Sequence, residues 1–310
     1  MPIDERRFMA AVHLGSHSPA VRLIAHISDT HFLAGGAALN GRIDTDSTVR
    51  QAMEQLERSG LRPDAFVITG DVADRGEPEA YRRVRGIIEA TTERLGAELI
   101  WVMGNHDARH AFRAELLDEP ESEFSGRPVD RVIDCGGLRI IALDTSVPGF
   151  HHGDVTTEQL VWLADVLATP APLGTVLALH HPPVPTPIPL MSILELQQQD
   201  SLAAVLTGSD VRAILGGHLH YATTGMFAGI PVSVAAATCY TMDLSGPTRE
   251  LTGVDGGQSL NLVHVYDDQI VHSVVPIGRF PTAAHFDEPY LERLEALSPE
   301  DRLDAFSRHL

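Results

Sequence analysis

Residues 21–31 read VRLIAHISDTH, an aliphatic run from Val21 to Ile27 that breaks into Asp29-Thr30-His31. The same grammar recurs four times. DAFVIT (64–69) precedes Gly70-Asp71, and ELIWVM (98–103) precedes Gly104-Asn105-His106-Asp107. GTVLAL (174–179) precedes His180-His181-Pro182, and VRAIL (211–215) leads to Gly217-His218-Leu219-His220. Short β-branched runs of this kind read as buried strands of an α/β sheet. Each polar island then sits on the loop at a strand's carboxyl end, the rim where open α/β folds place their ligands. The islands carry carboxylates, an asparagine amide and imidazoles but no thiol, a donor set suited to Mn, Fe or Zn.

Two metal ions about 3.5–4 Å apart clamp both the attacking and the leaving oxygen of a phosphoryl displacement. Two dications that close need a shared anion, and Asp71 is the candidate bridge. Asp29, His31 and His220 complete one shell; Asn105, His180 and His218 complete the other. A hydroxide between the ions is the expected nucleophile. His106 adjoins a ligand but is spare, so it is the candidate acid for the departing alkoxide, with Asp107 placed to orient its imidazole. His180 and His181 alternate along an extended chain, so only one of them faces the metals.

The pattern D-x-H, G-D, G-N-H-D, H and G-H-x-H resembles the calcineurin-like metallophosphoesterases over about residues 24 to 220. The blocks HISDTHF (26–32), GDVADRGEPEAY (70–81), LDTSVPGFHHG (143–153), ALHHPP (178–183) and VSVAAATCYT (232–241) look more narrowly like actinobacterial class III cyclic nucleotide phosphodiesterases. The resemblance implies a four-layer αββα sandwich of two mixed sheets flanked by helices. It implies an Fe/Mn pair (or Mn or Zn), and His180 as the ligand of its pair. It also implies His31, Asn105, His106 and His220 facing the phosphate, and hydrolysis of 3′,5′-cyclic nucleotides by in-line attack of a metal-bridging hydroxide. The alternatives are a broad phosphodiesterase for 2′,3′-cyclic nucleotides or glycerophosphodiesters, a nuclease, and a non-catalytic scaffold on the same fold. His151 and His152 resemble the family's substrate-side loop but also fit a solvated turn.

The 310 residues carry a formal charge of −19, and all 23 basic residues are arginine. That balance argues against a nucleic-acid partner, since phosphate backbones are held by neutralising basic side chains. A small phosphodiester is still compatible, because the ions' own charge governs the site. Cys135 and Cys239 are two lone thiols in apolar surroundings, which fits a reducing, cytoplasmic setting. No run reaches the 18 or more apolar residues of a membrane span. Arg6-Arg7 before FMAAV is only faintly like an export signal, because His13 interrupts the run and Asp4-Glu5 offset the charge.

The expected organisation is a disordered tail over 1–20, the phosphoesterase domain over 21–279 and a peripheral acidic helix within 280–310. Asp44 or Asp46 caps a helix running to Ser59; Glu77–Leu95 and Ala108–Leu117 are further helices, and Thr156-x-x-Gln159 is a capping box. Pro231–Tyr240 reads as one strand, and 262–266 with 270–275 as a hairpin. The proline-rich stretch after His181, with Leu190, Met191, Ile193 and Leu194, is expected as a lid or a homodimer-facing segment.

Overall fold

A computed structural model describes residues 14–120, 126–247 and 249–308; residues 1–13 of the expected tail lie outside them. Val21–Ile277 forms one compact unit. Its first half runs β1 (Arg22–Ile27), α1 (Thr45–Ser59), β2 (Ala65–Thr69), α2 (Pro78–Leu95), β3 (Glu98–Val102) and α3 (Arg109–Leu116). The middle continues with β4 (Arg131–Cys135), β5 (Leu138–Leu143), α4 (Thr157–Leu167), β6 (Thr175–Leu179), α5 (Gln199–Leu206) and β7 (Val211–Gly216). It closes with β8 (Thr223–Phe227), β9 (Ile230–Val234), β10 (Thr241–Met242), β11 (Gly253–Val254), β12 (Ser259–Val265) and β13 (Ile270–Pro276).

Two mixed sheets result, ordered β13-β12-β1-β2-β3 and β4-β5-β6-β7-β9-β8. Ile24, Val67, Ile100, Ile140, Val176 and Leu215 pack between them. The outer face of the first sheet packs Phe66 and Ile68 on Val49 and Met53 of α1, Tyr81 and Val84 of α2 and Phe112 of α3. The outer face of the second packs Leu177 and Ile214 on Leu163 of α4 and Leu202 of α5. The layers are therefore αββα, because each strand of these parallel pairs is buried on both faces.

Local chemistry sets the helix ends. The Asp44 carboxylate accepts from Ser47 N at 3.0 Å and Gly60 closes α1 with φ 73°, the left-handed turn that glycine favours. Thr156 and Gln159 form the expected capping box on α4. Several expectations change. β4 and β8 were not foreseen, and both are edge strands of the second sheet. Such strands are short, half-exposed and held mainly by the neighbour's open edge, so their own pattern is weak. The strand expected over Pro231–Tyr240 ends at Val234, and the chain then bends toward the loop ends of both sheets. Of the four expected exposed residues after His181, Leu190 and Ile193 face solvent, whereas Met191 is buried with Val184, Ile188 and Leu196 in the second sheet's outer core.

The segment from Gly278 groups separately. The single acidic helix expected there is two, α6 (Glu288–Glu295) and α7 (Pro299–Phe306), because Pro299 cannot donate into a continuing helix and Ser298 caps a new start. Phe286, Tyr290 and Phe306 stack on one another within it.

His26 of β1 is fully buried beside Thr69, with Nε2 2.9 Å from the Thr69 hydroxyl. Burial, reinforced by His272, lowers its pKa to about 3. The unfolded chain takes up this proton near pH 6.5 and the folded chain does not, so stability is present above pH 6.5 and declines toward pH 3. A His26→Gln variant is expected to lose roughly 2 kcal/mol less than the parent between pH 6.5 and 4.5. Parallel slopes in urea melts over that window would exclude the assignment.

Candidate dinuclear metal centre

Asp29, Asp71 and Asn105 arrive from the carboxyl ends of β1, β2 and β3, and His180 and His218 from those of β6 and β7. Their loops turn sharply. Asp29, His31, Asp71, His218 and His220 have φ of 52°, 45°, 47°, 66° and 57°, five of the nine non-glycine positive-φ residues among the described ones. Each such conformation costs about 1–3 kcal/mol and persists where surrounding structure imposes it. The payoff is convergence. Asp71 Oδ2 lies 3.3 Å from His180 Nε2 and 3.5 Å from His31 Nε2. His31 Nε2 lies 3.2 Å from His220 Nε2, and His220 Nε2 lies 3.4 Å from Asp29 Oδ1. Asn105 Oδ1 lies 3.1 Å from His180 Nε2. The His180 and His218 rings are 5.1 Å apart.

The outward nitrogens fix the tautomers. His180 Nδ1 donates to Thr69 O at 2.7 Å and His220 Nδ1 to Tyr240 O at 3.1 Å, since a carbonyl only accepts. His31 Nδ1 is 3.0 Å from the Asp74 carboxylate. Three Nε2 atoms thus point inward at one another and at carboxylate oxygens in a buried space, where a proton or a metal ion must lie between them. His218 Nε2 is buried there with no hydrogen-bond partner at all. Acceptors facing acceptors are repulsive unless a cation lies among them, so these residues fit a pair of metal ions. Asp29, His31, Asp71 and His220 form one group of mutually close ligand atoms, and His180 and His218 belong to another.

The electrostatics agree. Burial would raise the Asp71 carboxyl, but His180 and His31 outweigh it and hold it well below the usual range. Asp29 falls to about 2, where burial is outweighed by His220. Burial alone would lower His180, but Asp71 raises it to about 9. A centre that draws protons this strongly draws cations by the same field, with the metal displacing the proton.

Around the cluster, His106 N donates to Asp71 Oδ1 at 2.8 Å, and its ring Nδ1 donates to Asp74 O at 2.8 Å, leaving Nε2 free. Asp107 does not orient that imidazole. Its carboxylate accepts from Val72 N, Ala73 N, Gly104 N and the Tyr81 hydroxyl at 2.9–3.3 Å, so its capacity is spent pinning the two loops. Burial and then Asp71 raise it to about 6. The orienting residue is Asp74, through its backbone carbonyl, a contact that no sequence pattern signals. Arg75 is largely exposed, 3.7 Å from Asp74. Of the adjacent pair, His180 faces Asp71, while His181 Nδ1 is bonded to the Thr145 hydroxyl at 2.8 Å. His151 comes within the site, 2.8 Å from Asn105 Nδ2, and its ring centroid is 5.0 Å from that of His106.

The model of the calcineurin-like phosphoesterase family matches residues 22–222. This chain belongs to that family. Among curated relatives, a cAMP/cGMP dual specificity phosphodiesterase of Mycobacterium tuberculosis is 54% identical over 91% of this chain and 87% of that protein. A probable cyclic nucleotide phosphodiesterase of Rhodococcus erythropolis is 52% identical over 84% and 85%. Among solved structures, a dimetal phosphatase from Danio rerio covers 84% of this chain and 97% of its own at TM-score 0.60 and 14% identity, a likeness of fold alone. The loop ends of the first sheet in this phosphoesterase leave no room for a larger residue at Gly104, where a Cβ would collide with the backbone nitrogen and carboxylate of Asp71. Gly104→Ala is therefore expected to displace Asp71, with bound metal falling below two ions per chain and kcat dropping by ~10²-fold. Unchanged metal content and rate would show that Asp71's position is not critical.

Proposed function

We propose that the chain hydrolyses 3′,5′-cyclic nucleotides to 5′-monophosphates at this centre. Asp29, His31, Asp71, Asn105, His180, His218 and His220 are the residues that would hold the metal pair, with Asp71 placed between the two groups of ligand atoms. The carrying observation is the buried set of inward Nε2 atoms: those of His31, His180 and His220, whose Nδ1 atoms are held by Asp74, Thr69 O and Tyr240 O, beside the unpartnered Nε2 of His218. The names of the mycobacterial and rhodococcal relatives support the substrate class. When bound, the metal pair supplies Lewis-acid activation of water and of the phosphoryl group. An Fe/Mn pair, or Mn or Zn, suits the imidazole and carboxylate donors.

The rest is the work of side chains. His31, Asn105, His106 and His220 border the phosphate. Asp74 O holds His106 Nδ1–H, which directs Nε2 at the scissile ester. With its ring protonated on both nitrogens, His106 keeps Nδ1–H on Asp74 O and passes the Nε2 proton to the ribose oxygen as the P–O3′ bond breaks; the attacking water gives up one proton to solvent as its oxygen bonds to phosphorus, and the imidazole takes one back from solvent. His31 is held by the Asp74 carboxylate, so one residue sets both rings.

His106→Ala is expected to keep two metals by elemental analysis and to lose about 10²–10⁴-fold in kcat, most on diesters with poor leaving groups. A uniform loss across leaving groups would indicate phosphate binding in place of proton transfer. Asp71→Ala is expected to lose the dinuclear loading and turnover together; retained hydrolysis of bis-p-nitrophenyl phosphate would remove it as the bridge. A glycerophosphodiester phosphodiesterase of Enterobacter lignolyticus, 30% identical over 70% of this chain, favours a broader diesterase as the second reading. Ranking kcat/KM for cyclic AMP, cyclic GMP and glycerophosphodiesters separates the two.

A further inference from the structure

A cavity of about 400 Å³ is lined by Tyr240, whose ring packs beside His220 of the cluster. Tyr240 forms its wall; its ring centroid lies 4.6 Å from that of His220, and its carbonyl anchors His220 Nδ1. Met242 and Leu251 extend the apolar wall, while Asn40, Arg42 and Asp255 supply polar edges. A smaller cavity of about 250 Å³ shares Asn40 and reaches Asp74. The size and the mix of apolar wall with a few polar groups suit a small organic ligand.

The polar edge is preorganised. Leu39 and Ile43 are buried beside Cys239 and exchange backbone hydrogen bonds at 2.9 and 3.0 Å. Arg42 N also bonds Leu39 O at 3.1 Å, so the Asn40–Arg42 tip is a closed turn. The Arg42 side chain is exposed, and among the described residues its guanidinium has no hydrogen bond or ion pair, although Asp255 lines the same cavity. Asp255 Oδ1 accepts from Gln258 Nε2 at 2.8 Å, which fixes that carboxylate. None of these groups is needed to hold metal or move a proton.

We propose that this cavity is the nucleoside subsite and that Arg42 sets the preference for guanine over adenine. The proposal rests on the cyclic-nucleotide reading above. A phosphate at the cluster leaves its nucleoside to lie along the adjoining wall, where the base packs on Tyr240 and Met242. Guanine offers two acceptors, O6 and N7, on one edge, matching the guanidinium fork; adenine offers N7 but a donor in place of O6. An unpaired arginine therefore favours guanine. A carboxylate there would not.

The test compares kcat/KM for cyclic GMP, cyclic AMP and methyl p-nitrophenyl phosphate, a diester with no base, on the metal-loaded enzyme. Arg42→Ala is expected to lower cyclic GMP relative to both other substrates by roughly 5- to 100-fold. Leu251→Trp, at an exposed wall position, is expected to depress both cyclic nucleotides relative to the methyl ester. Cyclic nucleotide turnover in the parent with equal changes on all three substrates would overturn the subsite alone. Turnover of the methyl ester with none of either cyclic nucleotide in the parent would overturn the reading beneath it.

Discussion

The buried meeting of like-polarity atoms is the constraint on which this molecule turns. His31 and His220 present Nε2 to each other at 3.2 Å, with the Asp71 and Asp29 carboxylates beside them. Such a cluster is costly in the absence of positive charge, and its cost is raised by backbone strain at five of the seven positions proposed as ligands. The scaffold holds it together through bonds on the far side of each ring, to Thr69 O, Tyr240 O and Asp74. Those outer partners select the tautomer and aim the lone pair, which is the usual division between a ligand and its support.

Both sheets are needed for this. The first sheet delivers the carboxylates and the amide, and the second delivers most of the imidazoles. The glycines at the seam make the approach possible. A side chain at Gly217 would strike Ser28 Oγ and come within 2.7 Å of Thr69 O, and one at Gly70 would meet the His180 ring at 2.5 Å. The parallel strands end in register, for example Ile27 with Ile68 and Ile68 with Trp101, so their loops emerge at one rim. The tight core between the sheets fixes the separation of the two halves of the centre to the precision that metal coordination and in-line displacement require.

Hydrogen bonding around Asp107 illustrates how adjacency misleads. It follows His106 directly, yet its oxygens are consumed by backbone N–H groups of residues 72, 73 and 104 and by the Tyr81 hydroxyl. Asp74, 32 residues from His106, supplies the acceptor instead. The same lesson holds for His181, which neighbours His180 but binds Thr145 and the His151 carbonyl.

The strand-then-island grammar of the chain carried the buried strands and the donor set, because buried parallel strands have a strong apolar signature and ligand types are few, whereas the αββα layering came from the family resemblance. Capping at Asp44 and Thr156 was equally local and equally legible. The edge strands β4 and β8 and the break at Ser298-Pro299 were not, since pairing to a neighbour's free edge or starting a new cap is only weakly encoded in five residues. Only the tertiary structure decided that Asp74 anchors two rings, that His218 Nε2 has no partner, and that a cavity bounded by Arg42 and Tyr240 flanks the cluster. These depend on which groups from distant loops come within hydrogen-bond reach, and no local pattern records that distance.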